Sequence, residues 1–302
     1  MKLEEWKEKG LVRTVLGREI FYLDTACDGD VEGTIFLIHG FPSASWDWHR
    51  IWPALNQRYR LIAPDLLGFG LSEKPLGHDY HIHEQADFCE QLLEELGVDE
   101  CRLLAHDYGD TVAQELLARQ NEGSGKVTWQ SCMLLNGGLF PETHRPLLVQ
   151  KLLLSPLGFL FRGILNRRTL EKAFDRILGP DTKVSHEEMD TLWALFSYRQ
   201  GQRNTHRLIH YMSDRIEHRE RWVAALQHAR CPLGLINGSL DPVSGEHMVE
   251  RFITLIGDNH FIKRLSNIGH YPQLEAPEAV ASACLQFFSQ AHLAVAGGNN
   301  GR

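Results

Sequence analysis

Gly-x-Ser-x-Gly occurs nowhere in the 302 residues, which excludes the usual serine nucleophile on a strand-to-helix elbow. No block of Lys or Arg appears, and a net charge of −8 with a pI near 6.0 argues against a nucleic-acid surface. A membrane span needs about 18 uncharged apolar residues. The nearest approach, Leu147–Leu165, is interrupted by Lys151, Pro156 and Arg162, so no span is expected. Six cysteines, at 27, 89, 101, 132, 231 and 284, form no Cys-x-x-Cys. The acid-rich N-terminus lacks the apolar segment of a secretory signal, so free thiols in the cytoplasm are expected. Glycines 68, 70 and 77 make no Gly-x-Gly-x-x-Gly, and His78, His81 and His83 sit in a loop-like stretch without a partner motif. Neither a dinucleotide, a metal nor any other cofactor is expected.

What is present supports a large core: 43% of residues are hydrophobic and 23% charged. Short apolar runs alternate with helical stretches. They are Thr34–Gly40, Tyr59–Asp65, Cys101–His106, Ser131–Gly138, Pro232–Gly238 and Phe261–Leu265. Such runs predict a parallel sheet covered on both faces, preceded by an antiparallel pair, 11–15 and 19–23, around Leu16-Gly17. About eight strands result. Between Pro141 and Trp222 no strand-like run occurs, and the segment reads as an inserted helical lid. The expected organisation is an α/β core, 1–140 and 223–293, a lid, 141–222, and a disordered tail, 294–302. The apolar 147–165 stretch is either lid packing or a wall facing an apolar small-molecule substrate.

Asp107 sits where the apolar run 101–106 gives way to a helix-forming segment, flanked by the small residues Ala105 and Gly109. An aspartate there either caps the helix or is a nucleophile that forms an ester. Two further residues favour the nucleophile. Asp241, in Asn237-Gly-Ser-Leu-Asp-Pro-Val, follows one strand by a few residues, and His270, in Asn267-Ile-Gly-His-Tyr-Pro, follows the last. Nucleophile, acid and histidine then come in the order expected of a triad, with Asp241 orienting His270 and His270 deprotonating water. His39-Gly-Phe-Pro after the third strand supplies an oxyanion hole from the Phe41 and Tyr108 amides. Asp110 and His106 are assigned no chemistry.

These motifs resemble the α/β-hydrolase superfamily over about residues 15–290, specifically its branch of epoxide hydrolases and haloalkane dehalogenases with an aspartate nucleophile. The longest runs, His106-Asp-Tyr-Gly-Asp-Thr-Val-Ala-Gln-Glu and Asn136-Gly-Gly-Leu-Phe-Pro-Glu-Thr-His-Arg-Pro, are similar to the mesoderm-specific transcript subfamily. The resemblance implies an α/β-hydrolase fold and a covalent ester intermediate. Epoxide opening in this branch uses lid tyrosines, and Tyr211 matches one of them. No tyrosine falls in 141–170, leaving Tyr198 or His144 as a second donor. Dehalogenases take side-chain N–H donors from positions that here hold Tyr108 and Phe41, which disfavours halide release. A fluoroacetate-type enzyme would need arginine directly after the nucleophile, where Tyr108 stands. Ester or lactone hydrolysis remains open, as does a noncatalytic interaction protein built on the same fold.

Overall fold

The computed structural model describes residues 1–26, 31–146, 148–155, 158 and 165–298. Its eight strands are β1 (Leu11–Val15), β2 (Arg18–Thr25), β3 (Thr34–Ile38), β4 (Arg60–Pro64), β5 (Glu100–His106), β6 (Thr128–Leu135), β7 (Leu233–Gly238) and β8 (Phe261–Leu265). They form one sheet in the order β1-β2-β4-β3-β5-β6-β7-β8. β1 and β2 pair antiparallel, as do β2 and β4, while all remaining pairs are parallel. The expected architecture is present. The β1–β2 turn places both Leu16 (φ 47°) and Gly17 (φ 78°) in the left-handed region, as a two-residue hairpin requires.

The apolar runs become central strands because both of their faces are covered. Phe36 and Ile38 of β3 join Leu103 and Ala105 of β5 in one layer, against Val112 and Leu116 of the helix Tyr108–Glu122. Ile35 and Leu37 join Leu104 in the other layer, with Trp52 and Phe288. Each Val, Leu, Ile or Phe among them, fully buried, stabilises the fold by roughly 1.5–3 kcal/mol. After β3 the chain turns one way to β4, then crosses to β5 on the other side. The reversal opens a crevice at the carboxyl ends of β3 and β5, where ligands of open α/β sheets bind.

Among the described residues, the segment between β6 and β7 is entirely helical or irregular. Capping boxes start two of its helices: Asn166 with Thr169 opens Arg167–Ile177, and Ser185 with Glu188 opens His186–Ser197. Two boundaries differ from the sequence reading. The helix Arg219–Gln227 already belongs to the sheet's flank, because Trp222 is buried there and its indole N–H donates to Glu115 at 2.8 Å. The last helix, Pro277–Gly298, runs into the expected tail, since the Ala-rich stretch to Ala296 favours helix. Residues 299–302 and Cys27 lie outside the described residues. The other five cysteines are free. No helix of the described residues is long and apolar enough to cross a membrane.

Candidate active site

Asp107 occupies a strained backbone conformation, φ 49° and ψ −103°, between β5 and the helix Tyr108–Glu122. A non-glycine residue held there costs about 1–3 kcal/mol, a cost that persists where surrounding structure enforces it. Close packing does so: a Cβ at Gly109 would collide with the Ile38 carbonyl oxygen, and one at Gly40 would lie 2.7 Å from His106 Nδ1. Small residues therefore flank the elbow out of steric necessity. The Asp107 side chain makes no capping bond to its own helix, which removes the bland explanation for an aspartate at this position.

The three separated residues converge. His270 Nδ1 lies 2.7 Å from Asp241 Oδ2, and His270 Nε2 lies 3.9 Å from Asp107 Oδ1. Asp241 is held on every side. The Val243 amide donates to Oδ1 at 2.8 Å, while Asn136 Nδ2 donates to Oδ2 at 3.0 Å. Ser244 Oγ stands 2.8 Å from the same Oδ2. Asn136 sits at positive φ (43°) after β6 and also pins Gly238 through two hydrogen bonds, so it orients the whole acid loop. The Phe41 amide donates to Asp107 Oδ2 at 3.0 Å, and Tyr108 opens the helix on the other side. His39 fixes the Phe41 loop: its Nε2 accepts from the Leu66 amide at 3.0 Å and its Nδ1–H donates to the Gly40 carbonyl at 2.8 Å. His106 donates from Nε2 to the His270 carbonyl at 2.8 Å, so it positions the base and does not compete with it.

A model of the α/β hydrolase fold family matches residues 33–277. The chain belongs to that family. It is 40% identical over 304 aligned residues to the mesoderm-specific transcript protein of Mus musculus, covering 95% of this chain and 88% of the relative. LipZ of Mycobacterium tuberculosis, named as a hydrolase, is 35% identical, with 94% and 96% covered. A haloalkane dehalogenase structure, the DbeA-M1 loop variant from Bradyrhizobium elkanii, superposes with a TM-score of 0.79 at 24% identity, covering 95% and 98%. That last likeness speaks to the fold alone. Family and relatives together make this a hydrolase of the α/β fold, similar to the branch with an aspartate nucleophile and to the mesoderm-specific transcript proteins.

Electrostatics divide the family's elbow and acid loop. Burial alone would raise Asp241, but the His270 charge and hydrogen bond, the Val243 amide and Asn136 overcome it and bring the carboxyl to about 2. Burial would lower His270, but the charge and hydrogen bond of Asp241, and then the Asp107 charge, lift it to about 9. Pairing with Asp241 therefore favours the imidazolium form of His270 in the resting site. The His270 contribution to stability is complete below its ordinary 6.5 and is lost as pH rises through about 9. That of Asp241 is complete above 3.8 and is lost as pH falls through about 2. The melting gap between wild type and His270→Gln is accordingly expected to be widest near about pH 5–6 and to close toward about pH 9. A gap that widens with rising pH would contradict the pairing.

A cavity of about 360 Å³ reaches Asp107 and His270, walled by Phe41, Leu153, Phe174 and Val243. Tyr211, in the helix Tyr211–Glu217, is buried with its ring 5.9 Å from that of Phe41 and 5.0 Å from that of Tyr108. Burial first, and then the Asp107 charge, push the phenol's pKa up, so it remains a proton donor. His144 lies in the same region and is neutral, lowered to about 4 by burial and then by the Arg215 charge. Tyr198 is not brought to the site. It ends the helix His186–Ser197, is 37% exposed, and its ring lies 5.2 Å from Lys74 Nζ, because Arg199 and Gln200 at positive φ turn the chain there. Sequence reasoning missed Arg215, which is buried 3.9 Å from Asp107 Oδ1. Its only sequence signal was a place one helical turn after Tyr211, over whose ring its guanidinium lies at 4.5 Å.

Proposed function

We propose that the protein hydrolyses small epoxides through an ester on Asp107, with Asp107, His270 and Asp241 as the triad. The division of labour between the two Asp107 oxygens carries this reading. Oδ2 is held by the Phe41 amide, while Oδ1 faces the cavity side of His270 Nε2 across a gap too long for a hydrogen bond. Oδ1 gives its electron pair to a ring carbon. The carbon–oxygen bond breaks, and its pair goes to the ring oxygen, which takes a proton from Tyr211. Water then adds to the ester carbonyl, and its proton goes to His270. Negative charge develops on Oδ2, already against the Phe41 amide and beside the amino end of the helix Tyr108–Glu122. Collapse releases the diol, which takes the proton from His270; the second water proton, left on the Asp107 carboxyl, then leaves it to restore the carboxylate, and through solvent Tyr211 recovers its own.

Aromatic Phe41 offers no side-chain N–H for a halide, which favours epoxide opening over dehalogenation. Lid helices roofing the cavity would exclude water from the first step. We place the enzyme in the cytoplasm, where buried free thiols such as Cys89 and Cys101 persist. A single turnover of an alkyl epoxide in heavy-oxygen water is expected to leave the label in the Asp107 carboxylate and none in the diol. Label confined to the diol would mean that water attacks the epoxide directly.

A further inference from the structure

Arg215 has work on one side only. Its Nε donates to Thr111 Oγ1 at 2.7 Å and its Nη2 to the Asp107 carbonyl at 3.1 Å, yet Nη1 is buried without a hydrogen-bond partner among the described residues. Both ring nitrogens of His144 are likewise buried and unpartnered. These two side chains converge beside Gly138: a Cβ there would lie 3.0 Å from His144 Nδ1 and closer still to Arg215 Nη1. A buried donor left without an acceptor is costly, more so when charged, so their clustering beside a nucleophile points to an acceptor that arrives with the ligand. Beside His144, the Arg145 amide donates at 3.3 Å to the carbonyl of Val243, a residue that lines the cavity.

Position selects which part of a ligand arrives there. Arg215 grips the backbone of the nucleophile itself, so it stands on the attacking side of the reacting carbon. A leaving group departs from the opposite side. We propose that Arg215 Nη1 and His144 form a subsite for a carboxylate on the carbon attacked by Asp107, making small epoxy-acids the preferred substrates. This rests on Asp107 being the nucleophile. The arginine that the sequence lacks after the nucleophile is supplied from the lid, 108 residues later. A guanidinium offers the planar fork that suits a carboxylate, and neutral His144 offers one further N–H.

Binding of unreactive probes tests the subsite apart from the chemistry. By calorimetry, hexanoate is expected to bind wild type at least about tenfold more tightly than hexanol or hexanamide, a factor worth about 1.4 kcal/mol. Arg215→Met and His144→Phe should each erase most of that preference, and Arg215→Lys should keep part of it. Equal binding of hexanoate and hexanamide would overturn the carboxylate assignment. So would a preference for hexanoate that survives both Arg215→Met and His144→Phe. Should Arg215→Met fail to fold, His144→Phe decides alone. Selective hexanoate binding without any covalent adduct from an epoxide would retain the subsite and remove the ester mechanism.

Discussion

His270→Gln is expected to form the alkyl-enzyme and then stop. A carboxylate needs no base to attack carbon, and Phe41 and Tyr211 remain in place for the first step. The second step needs a base for water, and removing one typically costs on the order of 100- to 10,000-fold. The resting imidazolium does not preclude this role. Part of what lifts His270 to about 9 is the Asp107 charge, which disappears once the carboxylate is esterified. Forming the ester therefore releases His270 toward the neutral form that the next step requires. Glutamine can still donate to Asp241 Oδ2, so the loop that His270 shares with Asp241 keeps its anchor. Intact-mass measurement after mixing with an epoxide should show an increment equal to the whole substrate, because opening the ring expels no atom. Full turnover in the variant would rule out His270 as the base. Loss of turnover without an adduct would place His270 in the first step instead.

What the sequence made legible, and what it hid, follows from the range of the interactions involved. The central strands were readable because burial on both faces writes itself as an unbroken apolar run. β2 runs two residues beyond its expected end, through Thr25, since Asp24 pairs with Arg60 of the neighbouring β4 at 2.7–2.8 Å, a partner 36 residues away. Asp107, Asp241 and His270 were readable because each closes a strand or the turn after it, and chain order restricts their roles. Asn136 and Arg215 were not. Asn136 belongs to a quoted run, but its work depends on a left-handed backbone and on Gly238, 102 residues on. No arginine stands directly after the nucleophile in sequence, whereas the segment between β6 and β7 brings Arg215 to it in space. Tyr211 was readable from its match to the family's lid tyrosine, whereas nothing in the spacing excluded Tyr198, because the turn at Arg199 and Gln200 that keeps it from the crevice is set by positive φ.

Tyr211→Phe is expected to slow alkylation by an epoxide about 100- to 1,000-fold, the loss of about 2.7–4 kcal/mol typical when a donor aimed at transition-state charge is removed. The ring oxygen of an epoxide leaves as an alkoxide, a far stronger base than a departing halide, so it gains much more from a phenolic proton. The substitution keeps the ring that packs against Phe41 and Tyr108 and beneath the Arg215 guanidinium, so melting should change little. Stopped-flow measurement of the alkylation step separates this effect from the hydrolysis that follows. Because the donor acts only on the first step, hydrolysis of an ester already formed should proceed at the wild-type rate. If alkylation is unaffected, the proton comes from elsewhere, and His144 is the remaining neutral donor beside Asp107. Release of bromide from a bromoalkane as fast as an epoxide is opened, and insensitive to Tyr211→Phe, would show that the site is built for halide displacement.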